Sequence, residues 1–156
     1  MNTFETADRS VKDTYAQLNE IAVNVCTKYC NKVDAIVYSI TDIDELDNRE
    51  IRHILAELAI EAYRLADYAE RSSLKSECAI ALHKEMQANV YINSTGTQGN
   101  RNNQALLESQ PEQLVSILYK NIRSVLVTKV NETHRIESML NSVLISRATE
   151  AKLANL

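Results

Sequence analysis

Apolar positions recur along the chain at alternating intervals of four and three. Val11, Tyr15, Leu18, Ala22, Val25, Tyr29, Ile36 and Ile40 keep that spacing, with one slip near Lys32 and Val33. Such a recurrence marks a helix with a single apolar stripe, close to a coiled-coil seam, and predicts a first helix over about 9–40. A short acidic link, TDIDELD, follows. Asp47-Asn48-Arg49-Glu50 then has the form of a capping box, with Asp47 at the cap and Glu50 reaching back. Beyond it Ile51, Leu55, Leu58, Ala62, Leu65 and Ala69 restore the pattern, and Ala79, Leu82, Met86 and Val90 continue it past a polar patch at Ser72, Ser73 and Ser76. The spacing predicts a second helix over about 48–92. Without Gly or Pro it runs straight for roughly 65–70 Å; the alternative is a kink or a small-residue crossing at Ser72–Ser76.

The next window, NSTGTQGNRNN, holds Gly96 and Gly99 and predicts a loop over 93–108. It is longer than the two to five residues an αα turn needs, and loops of that length tend to be mobile or functional. Ser109-Gln110-Pro111-Glu112 reads as a second capping box, its Pro in the first turn where a missing N–H costs nothing. Leu114, Leu118, Ile122, Val125, Ile136, Leu140 and Val143 then share one face of a third helix over about 110–152, interrupted by Lys129 and Thr133. The expected fold is all-α: one domain over 1–156, up-down-up, an elongated three-helix bundle or long helical hairpin. Val23, Val37, Ile60, Ile80, Ile92, Val115, Leu126 and Ile145 fall off or beside the stripes. Spare apolar faces on long helices point to self-association, so a homo-oligomer is expected.

Composition strengthens the helical reading. The chain has 2 Gly and 1 Pro in 156 residues, where average usage gives about eighteen, and a many-turned β protein needs them. Formal charge is −4, which argues against a general coat for duplex nucleic acid. The halves differ, however: residues 1–70 carry seven Lys+Arg against fourteen Asp+Glu, and residues 71–156 carry ten against seven. Either the halves face each other or a neighbouring subunit, or the second half meets an anion while the first meets protein. No run of about 18 apolar residues suits a membrane. Without a signal-peptide pattern, three cysteines suggest reduced thiols in a cytoplasmic setting.

Candidate chemistry is thin. Helical di-iron sites require Glu-x-x-His pairs on facing helices, and the chain has one such spacing, Glu50 to His53, with no second to face it. His53, Glu57, Glu61, Arg64 and the His134/Glu137 pair suit solvated helix faces. Cys26 and Cys30 could hold two corners of a zinc site, but no other ligand lies nearby, and buried small apolar residues are the better reading. No nucleophile motif appears, and GTQGNRNN lacks the Lys-Ser/Thr of a phosphate loop. The expectation is a non-enzyme without catalytic residues, cofactor or metal.

Binding remains. Lys84, Arg101, Lys120 and Arg123, with Tyr91, set cations and an aromatic ring beside an amide-rich segment. That combination suits single-stranded nucleic acid, where phosphates meet Lys/Arg and bases stack on rings. The alternative is packed tyrosines and a solvated cationic face. SSLKSECAIALHKEMQANVYINSTGTQGN followed by QLVSILYKNIRSVLVTKVNETHRIESMLNSVL resembles, in layout over about 75–150, small helical proteins of tailed bacteriophages such as the UvsY-type recombination mediators. Lys84-Glu85-Met86-Gln87 stands where that family has a basic run before its tyrosine. The resemblance implies an oligomeric accessory protein that binds single-stranded DNA and helps load a recombinase inside an infected host cell. The competing expectation is a protein–protein module, either a virion component or an inhibitor or adaptor of a host or phage machine. Asp42, Asp44, Glu45 and Asp47 would then form the contact surface.

Overall fold

A computed structural model describes the backbone of residues 3–40 and 42–154 and the side chains from residue 13 of that span. The protein is all-α, with no strand among the described residues. Its helices are α1 (Thr3–Ser39), α2 (Asn48–Asn93), α3 (Gln98–Glu108) and α4 (Gln110–Leu153).

The start of α2 is fixed by the expected capping box. Asp47 Oδ1 accepts from the amides of Arg49 and Glu50 at 2.6 and 2.7 Å, and Glu50 Oε2 accepts from the Asp47 amide at 2.7 Å. Two amides that the first turn leaves without helical partners are thereby satisfied. From there α2 runs unbroken for 46 residues. Ser72 and Ser76 are buried, and Ser76 Oγ donates to the Ser116 carbonyl of α4 at 3.0 Å. The polar patch is therefore a close helix–helix contact within a continuous helix.

The window expected to be a loop over 93–108 is mostly helix. Only Ser94–Thr97 separates α2 from α3, and Gly96 makes the turn at φ +112°, a conformation open chiefly to glycine. Thr97 caps α3 by accepting from the Asn100 amide at 3.4 Å. Gly99 lies inside α3 with nothing near its missing side chain, so its backbone freedom is not used. Ser109 is the whole connection between α3 and α4. The second capping box does not form: the Ser109 hydroxyl turns back to the Ala105 carbonyl of α3 at 2.8 Å. Glu112, the expected partner, keeps Oε2 buried without a hydrogen bond. A one-residue link leaves Ser109 to end one helix, and its side chain is spent there.

The buried stripes differ from the expected ones in register. On α1 the covered positions are Ala22, Cys26, Cys30 and Val33, while Val25 and Tyr15 are exposed. Treating the cysteines as small apolar residues removes the slip at Lys32. On the last part of α2, Leu82 and Met86 face out, and the polar His83 and Gln87 are the half-buried positions. On α4, Leu126 is fully buried, not beside the stripe. Thr133 is also fully buried, its hydroxyl donating to the Lys129 carbonyl at 2.9 Å.

Contacts gather into two compact units: Met1–Val25 with Ala69–Val125, and Cys26–Tyr68 with Leu126–Leu156. The first unit buries small side chains, Ala22, Ala69, Ala79, Ala105, Ser72, Ser76, Ser109 and Ser116, beside Ile122. The second buries Val33, Ile51, Leu58, Leu65, Leu126 and Leu140 around Cys26 and Cys30. In that second unit Lys129 meets Asp34 at 2.6 Å and Glu132 at 3.2 Å. Arg147 donates to the carbonyls of Ile43 and Asp44 at 3.1 Å and of Leu46 at 2.6 Å, holding the acidic link from α4.

Candidate nucleic-acid interface

The first unit brings three of the five nucleic-acid candidates together. Tyr91 is in the last turn of α2, and Arg101 follows the four-residue turn into α3. The Arg101 guanidinium stands over the Tyr91 ring, 4.6 Å from its centroid, and Nη2 lies 3.5 Å from the phenol oxygen. A guanidinium over a ring face is attracted by the ring quadrupole and keeps its edge donors available. Arg101 Nε is buried and has no hydrogen-bond partner. Beside this pair, Lys84, Gln87, Ala88 and Tyr91 from α2 and Asn102, Ala105 and Leu106 from α3 line a pocket of about 470 Å³. Its lining offers one ammonium and two amides beside Ala88, Ala105 and Leu106. The first turn of α3 holds no acidic residue, so its positive end is not neutralised there.

Lys120 and Arg123 are not part of this group. They lie exposed on α4, one to two turns beyond Ser116, which contacts Ser76. His83 Nδ1 bonds the Ser109 carbonyl at 2.7 Å, and with the Ser76–Ser116 contact this fixes α2 and α4 antiparallel in the first unit. In that register Lys84 and Lys120 are about 18 Å apart along the helices at 1.5 Å per residue. Lys75, a cation of the second half outside the five candidates, sits 5.2 Å over the Tyr119 ring and repeats the cation–ring arrangement nearer to them. The signal for it was in the sequence only as two separate residues on different helices.

The acidic candidates divide differently. Asp47 is committed to the α2 cap, and its two backbone hydrogen bonds, from Glu50 first and Arg49 next, hold its carboxyl below the usual range. Asp42 Oδ1 accepts from the Asp44 amide at 2.9 Å. The side chains of Asp42, Asp44 and Glu45 are exposed on a link whose backbone Arg147 holds in place.

No protein family, curated protein or solved structure matches the chain. Among the described residues no group of three or more His, Cys, Asp and Glu is placed to hold a metal ion, and no helix is long and apolar enough to cross a membrane. Cys26 and Cys30 are buried thiols. Burial pushes Cys26 up to about 11, with the neighbouring Cys30 adding to it.

Proposed function

We propose that this protein is a non-enzymatic accessory protein that binds single-stranded DNA at the pocket between α2 and α3. The supporting observation is Arg101 over Tyr91, with Nε buried and unpartnered, at the edge of a pocket carrying Lys84, Gln87 and Asn102. The edge donors of the guanidinium, its Nη groups, are the ones a phosphate oxygen can meet. Lys84 neutralises a second phosphate, and the amide rim meets base edges. Lys120 and Arg123 extend the track along α4, so the strand is held by several phosphates and no single base. The role is that of the phage recombination mediators which the sequence resembles in layout, and it places the protein's action in the cytoplasm of an infected cell. The same reading has the helices arranged as an elongated bundle or hairpin that self-associates.

A salt titration against a fluorescently labelled oligo-dT tests the proposal. Affinity is expected to fall steeply with salt, each phosphate contact contributing about 0.7 to the log–log slope on single strands. Arg101→Ala with Lys84→Ala then flattens the slope by about 1.4 and weakens binding at low salt. Absence of binding by the unaltered protein at low salt overturns the reading.

A second reading has one observation in its favour. Arg147 fixes three carbonyls of the acidic link, presenting Asp42, Asp44 and Glu45 to a basic protein partner. Under it, Arg147→Ala loosens partner binding and leaves oligonucleotide affinity unchanged.

A further inference from the structure

We infer that His83 is a positioning residue of the α2–α3 pocket: it holds the C-terminal end of α3 and so sets the gap that the strand enters. The inference rests on the DNA-binding reading above and names a residue that shapes its site. α3 does not hold itself on α2 by burial. Ala105 is its one buried residue, while Leu106 and Leu107 are exposed. A short helix without a buried apolar face is placed by its ends. Both ends are tied to α2. At one, the Arg101 guanidinium stands over Tyr91. At the other, His83 Nδ1 lies 2.7 Å from the carbonyl oxygen of Ser109, the single residue between α3 and α4. Eight positions separate His83 from Tyr91 on α2, and eight separate Arg101 from Ser109. The two ties therefore keep one antiparallel register, about 12 Å apart at 1.5 Å per residue, and the pocket lies between them. Lys84, Gln87 and Ala88 come from the α2 side of that frame, and Asn102, Ala105 and Leu106 from the α3 side.

The chemistry of the second tie names the donor. Ser109 is fully buried, so its carbonyl oxygen is satisfied within the protein or not at all. Its helical partner, the Gln113 amide of α4, is distant at 3.4 Å, and His83 supplies the short bond. A carbonyl only accepts, which puts the imidazole proton on Nδ1 and leaves the lone pair of the neutral ring on Nε2. The other polar groups of Ser109 turn back into α3: its amide and its hydroxyl both donate to the Ala105 carbonyl, at 3.2 and 2.8 Å. Ala105 lines the pocket. One imidazole thus reaches the pocket wall through a single buried residue. His83 does not itself line the pocket, so it acts on the strand through α3 and not by touching a phosphate.

His83→Leu removes the donor and keeps a good helix former, and His83→Asn keeps a donor near the place of Nδ1. Circular dichroism verifies that both fold. Against labelled oligo-dT, His83→Leu is expected to weaken binding about five- to tenfold, the worth of one hydrogen bond, at an unchanged salt slope. His83→Asn should recover most of that loss. A slope lowered by about 0.7 signals a phosphate contact, and undiminished affinity signals no role; either overturns the inference. Two readouts do not depend on DNA. Heteronuclear NMR at alkaline pH, where an imidazole is neutral, should show the His83 ring protonated on Nδ1. Hydrogen exchange of α3 should quicken in His83→Leu while that of α2 between Ile51 and Leu65 stays the same. A ring protonated on Nε2, or unchanged exchange in α3, overturns the tie itself. Failure of the unaltered protein to bind the oligonucleotide overturns the DNA reading alone, and these two measurements then still decide whether His83 holds α3.

Discussion

At the residue scale, burial sorts groups that look alike in the sequence. Cys26 and Cys30 fill the seam of α1, and burial raises both thiols, Cys26 to about 11. The thiolate is the reactive form, and Cys78 is exposed. A maleimide at pH 8 is therefore expected to label Cys78 alone in the folded protein and all three after denaturation, as read by mass spectrometry. Two charged residues give opposite pH dependences. The Asp47 carboxyl is lowered from 3.8 by the amides it caps. Its contribution is present above 3.8 and disappears as pH falls through the lower folded value. Lys129 is raised from 10.5, chiefly by its hydrogen bond to Asp34 and also by Glu132. Its contribution is complete below 10.5 and fades as pH rises through the higher folded value. Asp47→Asn, which retains the cap, should flatten the acid limb of a thermal-stability profile, and Asp34→Asn the alkaline limb.

At the scale of elements, two glycines in one window play different parts. Gly96 turns the chain at positive φ, whereas Gly99 sits in α3 with open space around it. Gly96→Ala is expected to destabilise by about 1–3 kcal/mol, the cost of holding a side chain in that region. Gly99→Ala should stabilise by up to about 1 kcal/mol through helix propensity. Urea unfolding of the two variants compares them directly. The contact of α2 with α4 at Ser76 is equally particular, because the hydroxyl reaches the Ser116 carbonyl and leaves no room for a larger group. Ser76→Leu should cost about 1–3 kcal/mol by overpacking, although Leu is the better helix former.

At the scale of the whole molecule, the units are held by different means. Leu58, Leu126 and Leu140 are fully buried in the second unit, and truncating any of them to Ala should cost about 2–5 kcal/mol. The first unit buries mainly Ala and Ser and relies on close backbone approach. Few large apolar contacts mean cheaper local opening. Hydrogen exchange should therefore release the amides of α3 before those of α2 between Ile51 and Leu65. Equal protection of the two segments would contradict this.

The sequence by itself determined that the chain is helical, where α2 begins, and most of the α2 and α4 stripes. Those features rest on local periodicity, capping and the scarcity of Gly and Pro. Beyond Ala22 it placed the α1 seam one position early, because the four-and-three spacing was carried through Val25 and Tyr29 although Cys26 and Cys30 were read as buried small apolar residues. It read α3 as a loop because QGNRNNQ is polar, although a short exposed helix capped by Thr97 needs no apolar stripe of its own. Arg101 was noticed as a cation, but its pairing with Tyr91 spans a turn whose geometry only the fold supplies. Which side chains share a pocket or a wall depends on helix register and on how closely small residues let backbones approach. Tertiary packing sets those distances, and a one-dimensional pattern does not contain them.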